Sequence, residues 1–154
     1  MTKYLVMILL LAVSSSLDAQ EDYYNLMRSR LGHKVKATVE NTMKLSPEEE
    51  KVFWPLYEEY TDELYDIHDE RMKVIQEFTN YFDKMTDKRA DKIWTNFLRF
   101  QKELLDIQKE YYNKFKEILP TAKAVRYFQM ENKIEMIVNA KIADIIPLMD
   151  EGSN

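Results

Sequence analysis

Residues 45–85 read Leu45-Ser46-Pro47-Glu48-Glu49 followed by EKVFWPLYEEYTDELYDIHDERMKVIQEFTNYFDKM, and this stretch decides the fold. Phe53, Leu56, Tyr60, Leu64, Ile67, Met72, Ile75, Phe78, Phe82 and Met85 recur mostly three or four residues apart, the repeat of one helix face sustained over nearly 40 residues. The start of that helix has a physical cause. Ser46 is a cap, Pro47 brings the φ that a first helical position needs, Glu49 completes a capping box and Leu45 supplies a hydrophobic staple. Such a helix runs for roughly 60 Å. Pro55 lies in its second turn and withholds one backbone bond, which predicts a bend rather than a break.

Further helices are predicted on either side. Upstream, Glu21 to Lys44 carries Leu26, Leu31, Val35, Val39 and Met43 at spacings of four or five. Downstream, Thr86-Asp87 opens a helix with Trp94, Phe97, Gln101, Leu104, Gln108, Tyr111, Phe115 and Ile118 on one face. Pro120, at a predicted first helical position, then opens a last helix with Val125, Phe128, Ile134, Val138, Ile142 and Ile145, which Pro147 ends. Long helices joined by breaks of one or two residues cannot close into a globin-like ball, so the second and third are expected to form an antiparallel hairpin. The expected fold is all-α: four helices with a long antiparallel hairpin, elongated and cradle-like. Its apolar stripes are too wide for one neighbour each, which predicts a homodimer or a binding surface.

Composition narrows the function. The chain has 154 residues, 45% hydrophobic and 32% charged, with 2 Gly and 4 Pro, too few turn formers for sandwiches, barrels or Rossmann-type folds. The absence of Cys excludes disulfides, thiolate metal sites and cysteine nucleophiles, and two His leave little imidazole chemistry. A net charge of -5 is the wrong sign for a nucleic-acid binder. No Ser-His-Asp set, P-loop or glycine-rich cradle is present, so no enzyme activity and no cofactor is expected.

The N-terminus reads as an address. Lys3 precedes an uncharged run from Tyr4 to Val13, then Ser14, Ser15, Ser16 and Leu17-Asp18-Ala19, the layout of a secretory signal peptide cut near Ala19. The run is too short for a stable membrane anchor, which takes roughly 20 apolar residues. Residues 1–19 are therefore expected to be the signal peptide and 20–154 a single helical domain.

Charge is sorted along the chain. Residues 46–84 hold 12 acids against 4 bases, whereas 21–44 and 85–118 each come out at +2. The acidic helix is expected to lie beside basic ones, with Arg28, Arg30, Lys34 and Lys36 or Lys102, Lys109 and Lys116 facing it, each exposed pair contributing under about 1 kcal/mol. Glu58, Asp62, Asp66 and Glu70, spaced by four with His68 nearby, form a strip that either takes a divalent cation or basic client, or is a solvated face balanced by its basic neighbour. The second reading is preferred and no metal site is assigned. Neither His33 nor His68 has a Glu three residues before it, so the spacing of a dimetal site fails, and each reads as a surface residue. The rings Phe53, Trp54, Tyr57, Tyr60, Trp94, Phe97, Tyr111, Tyr127 and Phe128 are candidates for a client or dimer surface, with an aromatic core as the alternative.

Leu45-Ser46-Pro47-Glu48-Glu49 with Phe53-Trp54-Pro55-Leu56-Tyr57-Glu58-Glu59-Tyr60 resembles the signature region of the Spy/CpxP family of periplasmic stress proteins, the LTxxQ-motif group. Leu119-Pro120-Thr121-Ala122-Lys123 resembles a second copy, and Phe53-Trp54 and Tyr127-Phe128 fall eight and nine residues after their Leu. Ser46 stands for the motif Thr, while Glu49, Pro120 and Lys123 depart from it, so Leu45, Ser46, Glu49, Leu119 and Lys123 are the motif positions. The resemblance implies an all-α, cradle-shaped antiparallel dimer in the periplasm. It implies an ATP-independent chaperone for unfolded or misfolded proteins, or an adaptor of a membrane stress sensor. The alternatives are a metal-responsive periplasmic protein using the acidic strip, or a sensor regulator with no chaperone action.

Overall fold

A computed structural model describes residues 33–149, and the predicted signal peptide, the cut site and the first half of the predicted Glu21–Lys44 helix lie outside the described residues. Within them the chain is all-α: α1 (His33–Met43), α2 (Pro47–Tyr81), a 3-10 turn (Phe82–Lys84), α3 (Asp87–Ile118) and α4 (Thr121–Ile145). No described helix is long and apolar enough to cross a membrane.

Each boundary follows from local chemistry. Lys44, at φ 47, takes the left-handed conformation that ends α1, its N–H reaching Glu40 O at 3.3 Å. Ser46 caps α2 as expected: its hydroxyl accepts from the Glu49 N–H at 3.3 Å and the Glu49 carboxylate accepts from the Ser46 N–H at 2.7 Å. Pro55 is exposed and α2 continues through it. The regular α-helix ends at Tyr81, so Phe82 and Met85 fall beyond it, in and after the tighter turn. Thr86 caps α3 through the Arg89 N–H, and Pro120 sits one position earlier than expected, flanking α4 as its cap residue.

α2 and α3 run antiparallel. Phe53 meets Phe115, Lys114 meets Glu59, His68 meets Phe100, and Lys92 meets Glu77 along their length. α4 runs parallel to α2, with Tyr60 opposite Glu131 and Arg71 opposite Asn139. No Cα of α4 comes within 8 Å of one in α2, so these two helices are bridged by side chains alone. α1 packs across α4 and α2, with Val35 and Val39 in the core and Lys36 pairing with Glu58 at 3.1 Å.

Two apolar clusters hold the bundle. The larger gathers Val39, Met43, Phe53, Tyr57, Tyr60, Leu64, Phe100, Leu104, Ile107, Tyr111, Phe115, Leu119, Ala124 and Tyr127, and the smaller gathers Met72, Val138 and Ile142. The predicted seams are rotated in places. On α2 Tyr57, His68 and Arg71 are buried, while the predicted Leu56 and Ile67 are half-buried. On α3 the buried line is Ile93, Phe100, Leu104, Ile107, Tyr111 and Phe115, which leaves the predicted Trp94 and Gln101 exposed. On α4 it is Ala124 and Tyr127, not Val125 and Phe128, that go fully inside. α3 carries apolar residues on two adjacent stripes, and a single periodicity fitted across both selects neither cleanly.

The charge sorting operates through Lys36 as expected, and otherwise through bases other than those expected. α2 is paired by Lys36 to Glu58, Lys114 to Glu59, Lys92 to Glu77, and Lys123 to Glu49. Lys102 instead pairs with Asp106 on its own helix, and Lys116 sits 4.5 Å over the Tyr112 ring. Lys34, Arg28 and Arg30 lie outside what is described of side chains.

Candidate functional site

The two motif pentads meet in space. Because α2 and α4 are parallel, both begin at the same end of the bundle, and each start is preceded by a leucine that reaches the core: Leu119 is buried and Leu45 packs against the same cluster. Between them the Lys123 ammonium donates to the Glu49 carboxylate, and it lies 3.5 Å from Lys44 O at the end of α1. Glu49 therefore serves the Ser46 N–H and Lys123 at once. The Lys123 hydrogen bond, followed by the Ser46 N–H, holds the Glu49 carboxyl below its ordinary pKa. Glu49 in one pentad and Lys123 in the other are thus complementary and clasp three helices together.

A folded-state pKa below the unfolded one gives stabilisation that is complete at neutral pH and is lost as pH falls through the carboxylate range. Glu49→Gln is therefore expected to melt below the parent at pH 7. The gap should narrow as pH falls below the ordinary carboxylate range, where the parent carboxylate takes up its own proton. Melting temperature against pH for both proteins checks this, and a gap that stays constant with pH would show that the charge on Glu49 plays no part.

A second polar constellation lies deep in the bundle. His68, Arg71, Glu131 and Glu135 are buried, between the two apolar clusters. Arg71 Nη1 donates to Glu135 Oε1 at 3.3 Å and to Asn139 Oδ1 at 2.7 Å, His68 Nε2 lies 3.6 Å from Glu135 Oε2, and the Tyr60 hydroxyl donates to Glu131 Oε2 at 2.7 Å. Phe100 of α3 closes this layer, its ring 5.2 Å from the Arg71 guanidinium carbon and 5.8 Å from the His68 ring. Buried charge is tolerated only when paired and hydrogen-bonded, and this layer fixes the register of α4 on α2 where their backbones stand apart.

A third polar contact closes the α2–α3 seam. The Tyr111 hydroxyl lies 2.6 Å from Glu63 Oε1 and 2.8 Å from Glu59 Oε1. Burial, then those two carboxylates, pushes the phenol far above its ordinary pKa, so it stays a proton donor at any physiological pH. Beside it Lys114 lies 3.0 Å from Glu59 and 4.1 Å from the Tyr111 ring centroid.

The predicted surface rings divide. Phe53, Tyr57, Tyr60, Tyr111 and Tyr127 are core, not a client or dimer surface, because each is wrapped by other rings, with Phe53 touching Trp54, Tyr57, Phe115 and Tyr127. Trp54, Phe97 and Phe128 are half-buried against that core. Trp94 is exposed. The acidic strip separates too. Glu58, Asp62, Asp66 and Glu70 are solvent-facing, Glu58 and Glu70 being paired with Lys36 and Lys73, whereas His68 points inward, a correction to its reading as a surface residue. Among the described residues no group of three or more His, Cys, Asp or Glu is placed to hold a metal ion. Sequence reasoning missed the buried quartet. The available signal was that His68, Arg71, Glu131 and Glu135 each fall on the apolar stripe of their own helix.

One cavity of about 30 Å³ opens between α1, α2 and α4, lined by Val39, Thr61, Leu64, Met130, Glu131 and Ile134 among others, room for one or two waters. Comparison with family models, with curated proteins and with solved structures returns no match.

Proposed function

We propose that the chain is a periplasmic, non-catalytic helical binding protein, acting as an ATP-independent chaperone or an envelope-stress adaptor for unfolded or misfolded proteins. The reading rests on the resemblance of its two pentads to the Spy/CpxP group. One observation supports it most: large apolar side chains remain exposed on three helices beside dense charge, Tyr65 on α2, Leu98 and Leu105 on α3, and Met136 and Ile137 on α4. Tyr65 follows Leu64, and Ile137 lies one turn beyond Ile134, on the helices that flank the small cavity. Next to Tyr65 stand the exposed acids Asp62 and Asp66. Weak apolar contact plus long-range charge holds an unfolded segment loosely enough for it to fold while bound, with no nucleotide required.

The test is aggregation of a chemically unfolded model protein with and without the chain at two salt concentrations. Suppression near stoichiometric ratio that weakens with salt is the expected result, and Tyr65→Ser with Ile137→Ser should reduce it without changing the circular dichroism. No suppression at either salt would sink chaperone action and leave a sensor regulator as the reading.

A further inference from the structure

α4 hides its acids. Between Thr121 and Ala143 the helix carries two carboxylates, Glu131 and Glu135, and both lie on its buried line with Ala124, Tyr127, Val138 and Ile142. A surface helix normally does the reverse and keeps its charges outside. At 100° per residue Arg126, Lys133, Met136, Ile137 and Ala140 fall within roughly 60° of the direction opposite that line, with Lys141 at the edge of the face. All six are exposed, Met136 at 63% and Ile137 at 59%. Arg126, Lys133 and Lys141 pair with no acid within 4 Å among the described residues. The first acid on the outside of α4 is Asp144, in its last turn, and beyond the helix Leu148 is 89% exposed. In a chain of net charge -5, this one helix face is cationic and apolar.

We propose that the outer face of α4 docks on an anionic phospholipid surface, the helix lying in the plane of the headgroups. Met136, Ile137 and Leu148 enter between the headgroups, while Arg126, Lys133 and Lys141 meet lipid phosphates and extend their aliphatic stems along the apolar layer. From Arg126 to Lys141 the contact runs for about 22 Å. The face is the outside of a single helix, and the cavity described above opens on another flank, at Met130 and Ile134. An extended acidic peptide would find no groove there, whereas a planar surface needs only a straight row of bases with apolar side chains between them. The same lipid charge repels the acidic α2, which sets the side that docks. Each base near the lipid adds to the attraction and salt screens it, so the binding is shallow and reversible. It does not depend on client capture, and it covers Ile137 while leaving Tyr65 open.

The test is co-sedimentation with vesicles of phosphatidylglycerol and phosphatidylcholine in equal parts, against vesicles of phosphatidylcholine alone. The chain from Gln20 onward is used, which keeps every described residue and omits the apolar run Tyr4–Val13 that would enter lipid by itself. Sedimentation with the anionic vesicles alone, released by salt, is the expected result. Arg126→Gln with Lys133→Gln should weaken it about twentyfold, and Met136→Ser with Ile137→Ser about tenfold, both without changing the circular dichroism because all four side chains are exposed. Lys88→Gln with Lys109→Gln, an equal loss of charge on α3, and Tyr65→Ser on α2 should each leave it within about twofold. No sedimentation with anionic vesicles, equal sedimentation with phosphatidylcholine alone, or an equal loss in the α3 control would each overturn the proposal. Retention of poly-glutamate without vesicle binding would also overturn it and give the face to an acidic polypeptide.

Discussion

Phe115→Ala is expected to destabilise the fold by about 3–5 kcal/mol, the range for a fully buried ring cut back to a methyl. Phe115 has no exposed surface and stands among four other rings, with centroids 4.9 Å from Tyr127, 5.3 Å from Phe53, 5.9 Å from Phe128 and 6.3 Å from Tyr60. These rings come from α2, α3 and α4, so the surroundings cannot collapse into the gap without moving three helices. The loss should therefore fall toward the upper part of the range. Urea unfolding checks it: the midpoint should drop while the slope stays the same. The contrast is Trp94→Ala on the same helix, expected to change monomer stability by no more than about 0.5 kcal/mol because that ring is mostly in solvent. If the two substitutions cost the same, the assignment of the core line on α3 is wrong.

Arg71→Met should cost about 3–5 kcal/mol for a different reason. Removing the guanidinium takes one partner from Glu135 and one from Asn139, and leaves the Glu135 carboxylate with His68 Nε2 at 3.6 Å in a layer that holds a second carboxylate, Glu131. The penalty is chiefly that of stranding a buried charge, and the lost attraction is the smaller part. It follows that Arg71→Met with Glu135→Leu should recover much of the loss, because the second change removes the stranded group. A double-mutant cycle in urea is the measurement. Additive costs would mean that Arg71 and Glu135 do not act as a pair.

Which of these features the sequence discloses depends on how local their causes are. The start of α2 was legible because Ser46, Pro47 and Glu49 act within one turn, and the break at Thr86 was legible for the same reason. Helix faces were legible to within about one position. Tyr57, Ile93 and Tyr127 are buried where a neighbour was expected, since the tilt of each helix against its partners decides between adjacent stripes and no single segment encodes that tilt. His68 and Arg71 were illegible on α2 alone: polar residues become good core residues only when Glu135 and Asn139 arrive from 64 and more residues away. The pentads lay between these cases. Their likeness was visible as sequence, but that Glu49 and Lys123 hold each other became visible only when α2 and α4 were placed side by side.

The clasp at the start of α2 and α4 also bears on the order of folding. α2 and α3 are neighbours in sequence and pair along their length, so their association closes only a short turn, the kind of contact that forms early. α1 instead packs on α4, and the bond from Lys123 to the end of α1 closes a loop of 79 residues, a closure whose entropic cost must be met after the hairpin exists. Substitutions in the α2–α3 seam should therefore slow refolding, whereas Lys123→Ala should leave the refolding rate nearly unchanged and appear almost entirely as faster unfolding.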